Sequence, residues 1–313
     1  MIQPGPTVVA RAPGRVNLIG DHTDYNQGLA LPMAIDLATE VRLVPDGGNR
    51  LVLRSTVDER PAILPLDAGR DPATLAALRP PWARLAAAVV AQVLPARGGT
   101  GRITSSLPVG AGLSSSAAFA VALATALGMS GPPIEMARLG QRAESAVGVE
   151  VGLMDPLVVA GARAGHGLLV DFATLAVQPV PIPEDLAVVI VHSGRSRQLT
   201  DGRYGRRRDE CTAAGRLLGR PLGQADRSDL AILADPLLRR RARHVTTECG
   251  RVRRFAEALR TGDRAEAGRL MVDSHRSLAL DFEVSTPEVD ALVEDLCRRP
   301  GVHGARMTGG GFG

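Results

Sequence analysis

Four stretches of the 313-residue chain place polar side chains where a fold alone has little use for them. In residues 12–25, APGRVNLIGDHTDY, the groups Asp21, His22, Asp24 and Tyr25 crowd together just after an apolar run. Carboxylates and an imidazole in that arrangement suit recognition of several hydroxyls on one small molecule, since each accepts from an OH with strong directionality. The same set could hold a metal, or an Asx-rich turn could cap local backbone. Residues 107–127, LPVGAGLSSSAAFAVALATAL, run from a glycine turn through serines into an apolar helix. Gly110 and Gly112 allow the turn, and Ser114, Ser115 and Ser116 fall where first-turn N–H groups have no intrahelical partner. Such a helix start favours a phosphate, with serine hydroxyls as further donors or a place for Mg²⁺; it would equally cap an ordinary core helix. In residues 143–156, AESAVGVEVGLMDP, Glu144 lies on a helix and Asp155 emerges from an apolar approach. Asp155 is therefore either a helix N-cap or a proton acceptor with a tuned pKa. In residues 304–313, GARMTGGGFG, consecutive glycines mark either a flexible turn or backbone lying close to a ligand.

Two familiar phosphate motifs are excluded. All 37 Lys+Arg residues are arginine, so neither the P-loop lysine nor the strand lysine of a protein kinase is present. The dinucleotide fingerprint G-x-G-x-x-G also fails, because Ser115 takes the third glycine's place.

The chain is long enough for two domains, each with its own core. With 45% apolar residues but only 1 Trp, 2 Tyr and 5 Phe, that core must be built from Ala, Val and Leu. A net charge of +4 is modest, and the arginine runs at 206–208 and 239–241 lack interleaved aromatics. They read as solvated helix faces rather than a nucleic-acid surface. Cys211, Cys249 and Cys297 are odd in number and far apart, which argues for a reducing compartment over a disulfide framework. There is no charged-then-apolar leader and no apolar run of about 18 residues. The expectation is a soluble cytoplasmic protein without nucleic-acid or membrane partners.

Patterning predicts strands at 8–11, 16–19, 29–35, 40–44, 51–55 and 101–106, and helices at 82–94, 134–147 and 155–164 besides the one behind the glycine turn. Beyond Gly165 the pattern restarts with strands at 167–172, 177–181 and 186–192, helices at 203–218, 236–260, 264–280 and 287–299, and a strand at 303–307. Strands and helices in separate runs give an α+β fold.

The motifs resemble, in order, those of one family. GRVNLIGDHTDY at 14–25 is similar to the galactokinase signature, LPVGAGLSSSA to the ATP-binding motif of the wider GHMP small-molecule kinase superfamily, and GARMTGGGFG to its third motif. With GLMD at 152–155 and Tyr204-x-x-Arg-Arg they span nearly the whole chain. The resemblance implies a two-domain GHMP-kinase-like α+β fold. Residues 1–175 would form the N-terminal domain with sugar signature and ATP loop, residues 176–313 the C-terminal domain, and the active site would lie in the cleft between them. It further implies a monomer that uses ATP and Mg²⁺ to phosphorylate the anomeric hydroxyl of galactose. By position, Asp155 would be the general base, and Arg15 the cation that balances it and stabilises the transferring phosphoryl group. Asp21, His22, Asp24, Gly152 and Tyr204 fall on sugar-binding positions. Gly110, Ala111, Gly112, Leu113, Ser114, Ser115 and Ser116 fall on the triphosphate loop. Ser116 and Glu144 fall on Mg²⁺ positions, where the ion would neutralise phosphate charge that no lysine covers.

The chain also departs from that pattern. Asp21 stands where the family has Glu, one methylene longer, and Pro156 replaces the Gln after the base. The interval from Glu144 to Asp155 is one residue short, and HSGRSRQ at 192–198 follows the pattern loosely. Family members continue past the third motif with a further strand and helix, so the C-terminal domain is expected to be incomplete at its C-terminal end, with an exposed sheet edge. Two alternatives stay open: a GHMP kinase acting on another sugar, and a non-catalytic galactose and ATP sensor.

Overall fold

A computed structural model describes residues 5–67, 71–108, 110–149, 152–194 and 202–312. The chain divides into two compact units, Met1–Arg15 with Ala34–Ala162, and Val16–Met33 with Arg163–Gly313. Two long strands, β1 (Val8–Ile19) and β2 (Leu29–Pro45), give residues to both. Each replaces a pair of shorter predicted strands. Pro13 and Gly14 resemble a break in the sequence, but the chain runs through them as one strand.

In the first unit β3 (Arg50–Ser55), β4 (Ala62–Pro65) and β5 (Gly99–Ser105) join β2 in the order β4-β3-β5-β2, with β3 and β5 parallel and the other pairs antiparallel. Its helices are α1 (Pro72–Ala77), α2 (Ala83–Val93), α3 (Ser115–Ala126), α4 (Pro133–Ala146) and α5 (Met154–Gly161). The core is alanine-rich, with Ala86, Ala87, Val90, Ala118 and Leu123 packed among Leu51, Leu53 and Leu64. Because α3 is apolar around most of its circumference, eight of its 12 residues are buried. Strand β4 and helix α1 are too short for periodicity to reveal.

The second unit pairs β2 with β6 (His166–Asp171) and β6 with β7 (Ala176–Pro181), all antiparallel. Its helices are α6 (Arg203–Leu218), α7 (Pro236–Thr261), α8 (Arg264–Leu280) and α9 (Pro287–Cys297). Asp235, Asp263 and Thr286 cap the last three through side-chain acceptors. The combination of sheet and helices in each unit is the α+β class that the sequence predicts.

Two expectations need correction here. Residues 186–192 and 303–307 form no strand ladder among the described residues, since no neighbouring strand pairs with either, and Val189 is left 78% exposed. The arginines at 239–241 are not a uniformly solvated face. Arg241 is buried, with Nε on Glu210 at 2.6 Å, Nη2 on Glu283 at 2.5 Å and Nη1 on the Asp281 carbonyl at 2.7 Å. Carboxylates and a carbonyl on α6 and after α8 supply what water would otherwise give a guanidinium.

The segment after α9 docks on α8 backbone to backbone. A Cβ on Gly268 would stand 1.9 Å from the His303 carbonyl oxygen. Gly268→Ala is therefore expected to cost about 1–3 kcal/mol, as overpacking of a tight site does. A thermal melt superposable on that of the parent would show that the two backbones do not approach so closely.

Candidate active site

In the first unit, strand, glycine loop and two helices converge on one carboxylate. The Arg15 amide on β1 donates to the Leu113 carbonyl at 3.2 Å. The preceding Gly14 has no room for a side chain, because a Cβ there would stand 2.4 Å from Leu107 Cδ2 and 2.8 Å from the Leu113 oxygen. The strand therefore lies directly against the loop. Arg15 then donates to both oxygens of Asp155, from Nε at 2.7 Å and Nη2 at 2.5 Å, and from Nη1 to the Gly112 carbonyl at 2.6 Å. Ser114 Oγ donates to Asp155 Oδ2 at 2.5 Å. Asp155 sits inside the first turn of α5, whose N-cap position is Leu153, so Asp155 is not that helix's N-cap.

The loop itself alternates. Gly110 (φ 77°), Gly112 (φ 71°) and Ser114 (φ 59°) are all left-handed. For Ser114 that conformation costs roughly 1–2 kcal/mol. It aims the hydroxyl at Asp155 and starts α3 at Ser115. Ala111 and the buried Leu113 anchor the loop to the alanine core. Such turns direct successive amides to one side, and the α3 start adds donors without intrahelical partners.

Beside the loop, Ser116 Oγ donates to Glu144 Oε1 at 2.5 Å. Glu144 is only 2% exposed, and its Oε2 has no hydrogen-bond partner. Burial pushes its pKa up; the Ser116 hydrogen bond opposes this, Asp155 adds to it, and Arg15 opposes it. A buried carboxylate with one oxygen unanswered is a place for a cation. Gly152 belongs to this unit too, just ahead of α5. A cavity of about 610 Å³ in the unit is lined by Arg11, Glu40, Thr56 and Ser105 among others, and by none of the predicted site residues.

The second unit holds the Asp-His-Asp turn. His22 is left-handed (φ 64°), its Nδ1 lies 2.9 Å from Tyr25 Oη, and its ring is 4.6 Å from Phe282 and 5.4 Å from Tyr204. Tyr204 is in the first turn of α6, and the half-buried Asp24 opens a 3-10 turn, Asp24–Asn26. Burial, with Cys211, Tyr204 and Asp24 adding to it, lifts the Tyr25 phenol well above its usual pKa, so it stays a neutral hydroxyl. Asp21 is buried. Its Oδ2 pairs with Arg306, and its Oδ1 accepts from the Gly309 amide at 3.0 Å. Residues 304–312 are thus backbone close to the signature turn as well as a glycine turn. Among the described residues no three His, Cys, Asp or Glu side chains converge as metal ligands. Most of HSGRSRQ, and residues 150 and 151, lie outside the described residues.

Sequence reasoning missed Arg306, His244, Glu248 and Phe282. The only available signal was His244 and Glu248 one helical turn apart on one face of α7.

With that geometry in place, the relatives give the class. Residues 83–162 match the GHMP kinases N terminal domain and residues 255–313 the GHMP kinases C terminal domain. The crystal structure of L. major mevalonate kinase in complex with R-mevalonate shares the fold with a TM-score of 0.66 at 20% identity, over 100% of this chain and 88% of that one. Residues 3–43 match the galactokinase galactose-binding signature. Galactokinases of Chloroflexus aurantiacus and Homo sapiens are 43% and 42% identical, each over 98% of this chain and 82% of the relative. The crystal structure of Lactococcus lactis galactokinase complexed with galactose matches with a TM-score of 0.91 at 27% identity, over 98% of this chain and 84% of that one. The chain belongs to the galactokinase family, and is a sugar kinase with the GHMP kinase fold.

Glu144 has a pKa above its unfolded value, so the folded protein favours its protonated form. That contribution to stability is full in acid and is lost as pH rises through the folded pKa. Glu144→Gln, which mimics the protonated acid, is expected to raise the Tm at pH 8. The two melting curves should converge as pH falls below the ordinary value of 4.5. A difference in Tm independent of pH would show that Glu144 does not titrate between the two states.

Proposed function

We propose that the chain transfers the γ-phosphoryl group of ATP to the anomeric hydroxyl of galactose, with Asp155 as general base. The observation that carries this reading is the Arg15–Asp155–Ser114 cluster built directly onto the Gly110–Ser116 loop. Asp155 would take the hydroxyl proton as the sugar oxygen bonds to phosphorus and the bond to the β-phosphate oxygen breaks, releasing ADP. Of the five N–H groups of a guanidinium, three are taken on Arg15, two by Asp155 and one by the Gly112 carbonyl. The other two are available to a phosphoryl oxygen whose charge grows in the transition state.

The loop residues Gly110, Ala111, Gly112, Leu113, Ser114, Ser115 and Ser116 would hold the triphosphate through backbone amides and the α3 start. Ser116 and the unanswered Glu144 oxygen fit Mg²⁺, a hard cation taking oxygen ligands. Bound there with the nucleotide, the ion would supply phosphate charge neutralisation. His22, Asp24, Tyr204, Asp21 and Gly152 would form the sugar's contacts. The protein is read as a cytoplasmic monomer, since one chain supplies Arg15, Ser114 and Asp155 together and Cys211 and Cys249 are free thiols.

A kinase for a different sugar is the second reading, and one observation favours it. The carboxylate of Asp21, shorter than the Glu of the family pattern, is already engaged by Arg306 and Gly309. Coupled ADP release measured on galactose, arabinose, glucuronate and N-acetylgalactosamine decides between them; equal turnover on all four would end the galactose assignment. Asp155→Ala is expected to lower kcat by about 10²–10⁴. Retention of more than a tenth of the rate would remove the general-base role. Glu144→Gln should raise the Mg²⁺ concentration needed for half-maximal rate, and an unchanged requirement would remove Glu144 from the ion.

A further inference from the structure

Beneath the signature turn of the second unit lies a pair of buried polar side chains that the proposed chemistry does not use. His244 and Glu248 stand one turn apart on α7 and are fully buried. Glu248 Oε1 accepts from the Gly20 amide at 3.0 Å and from Ser274 Oγ at 2.6 Å, and Oε2 accepts from Arg251 at 2.6 Å. His244 Nε2 lies 3.1 Å from the Asp21 carbonyl, and Nδ1 lies 2.9 Å from Ser277 Oγ. A carbonyl only accepts, so the ring carries a proton on Nε2, while Nδ1 faces the Ser277 hydroxyl, which also lies 3.3 Å from Asp281 Oδ2. Two successive backbone groups, the N–H of Gly20 and the C=O of Asp21, are therefore both gripped by one face of one helix.

We infer that His244 and Glu248 are positioning residues for sugar recognition, holding the backbone from which His22 and Asp24 project. This rests on the reading of that turn as the sugar site. Three observations support it. First, Gly20 is left-handed (φ 98°) and lies so close to Ala30 that a Cβ would stand 2.6 Å from its Cα, so the backbone that Glu248 holds is tightly packed against its neighbouring strand. Second, the Phe282 ring lies 4.5 Å from His244 and 4.6 Å from His22, so the brace continues by stacking into a proposed sugar contact. Third, burying a carboxylate and an imidazole is costly, and a hydrophobic pair of similar volume would serve packing alone as well or better. Burial drives the Glu248 pKa up, but Arg251, His244, Arg306 and Ser274 together bring it down to about 2. The acceptor is thus kept ionised and fully engaged.

The test uses the full chain in initial-rate assays with galactose and ATP varied separately, at a temperature well below the lowest Tm of the set. His244→Ala is expected to raise KM for galactose roughly tenfold, with kcat and KM for ATP within about twofold. His244→Gln, whose amide N–H reaches the Asp21 carbonyl, should recover most of that loss, a rescue that lost packing alone would not give. Glu248→Gln keeps an acceptor oxygen without the charge and should raise KM for galactose several-fold while folding normally. KM for galactose within twofold of the parent in both His244→Ala and Glu248→Gln overturns the inference, as does an equal rise in both KM values. Asp24→Asn reads the turn itself: if it too leaves KM for galactose unchanged, the sugar reading fails and the inference falls with it.

Discussion

Arg15 and Asp155 are 140 residues apart in sequence, and the first unit is arranged so that they meet. An ion pair with one partner 10% and the other 25% exposed at the side chain gives no dependable net stability, because the lost hydration offsets much of the attraction. What it gives is orientation. The fork of Arg15 fixes both oxygens of Asp155, its third donor fixes the Gly112 carbonyl, and Ser114 adds a fourth hydrogen bond from the same loop. The carboxylate, the loop and the strand therefore have one relative geometry, which is the preorganisation that the proposed phosphoryl transfer would require. The left-handed Ser114 is the strain accepted in exchange for that geometry.

The second unit solves a different problem with similar means. Its signature turn leaves β1 at Ile19 and must hold left-handed Gly20 and His22 in place. Apolar packing is nondirectional and would not distinguish one turn conformation from another. Hydrogen bonds do so. Glu248 and His244 fix two main-chain groups, Arg306 donates to the Leu18 carbonyl at 2.8 Å, and Thr308 donates to the Asn17 carbonyl at 2.9 Å. Every one of these partners is distant in sequence from the turn it holds.

That distance separates what was legible in the sequence from what was not. The four polar stretches stood out because Asp21, His22, Ser114 to Ser116, Glu144 and Asp155 occupy places that periodicity would fill otherwise. The amphipathic helices appeared within a few residues of α2, α4, α6 and α8 for the same reason. Arg306 looked like one more arginine among 37, and Arg241 like part of a solvated run, because nothing local distinguishes a buried guanidinium from an exposed one. Residues 16–33 pack with the second unit although they follow directly on Arg15, a nonlocal outcome invisible to patterning. The expected ladder at 186–192 depended on a partner strand, and among the described residues none pairs with it.

The absence of lysine ties these features together. An ammonium is a mobile point charge on a flexible stem, and it can follow a phosphate through a reaction. A chain of arginine alone has planar forks that work best when fixed bidentately, so each buried guanidinium must be built into carboxylates and carbonyls. Arg15 on Asp155, Arg241 on Glu210 and Glu283, and Arg306 on Asp21 follow that rule. The cost is that such cations are partly committed already. Under the proposed reaction, balancing a triphosphate would then fall to the loop amides, the α3 start and a cation on Glu144, a buried carboxylate beside the loop with an oxygen still unanswered.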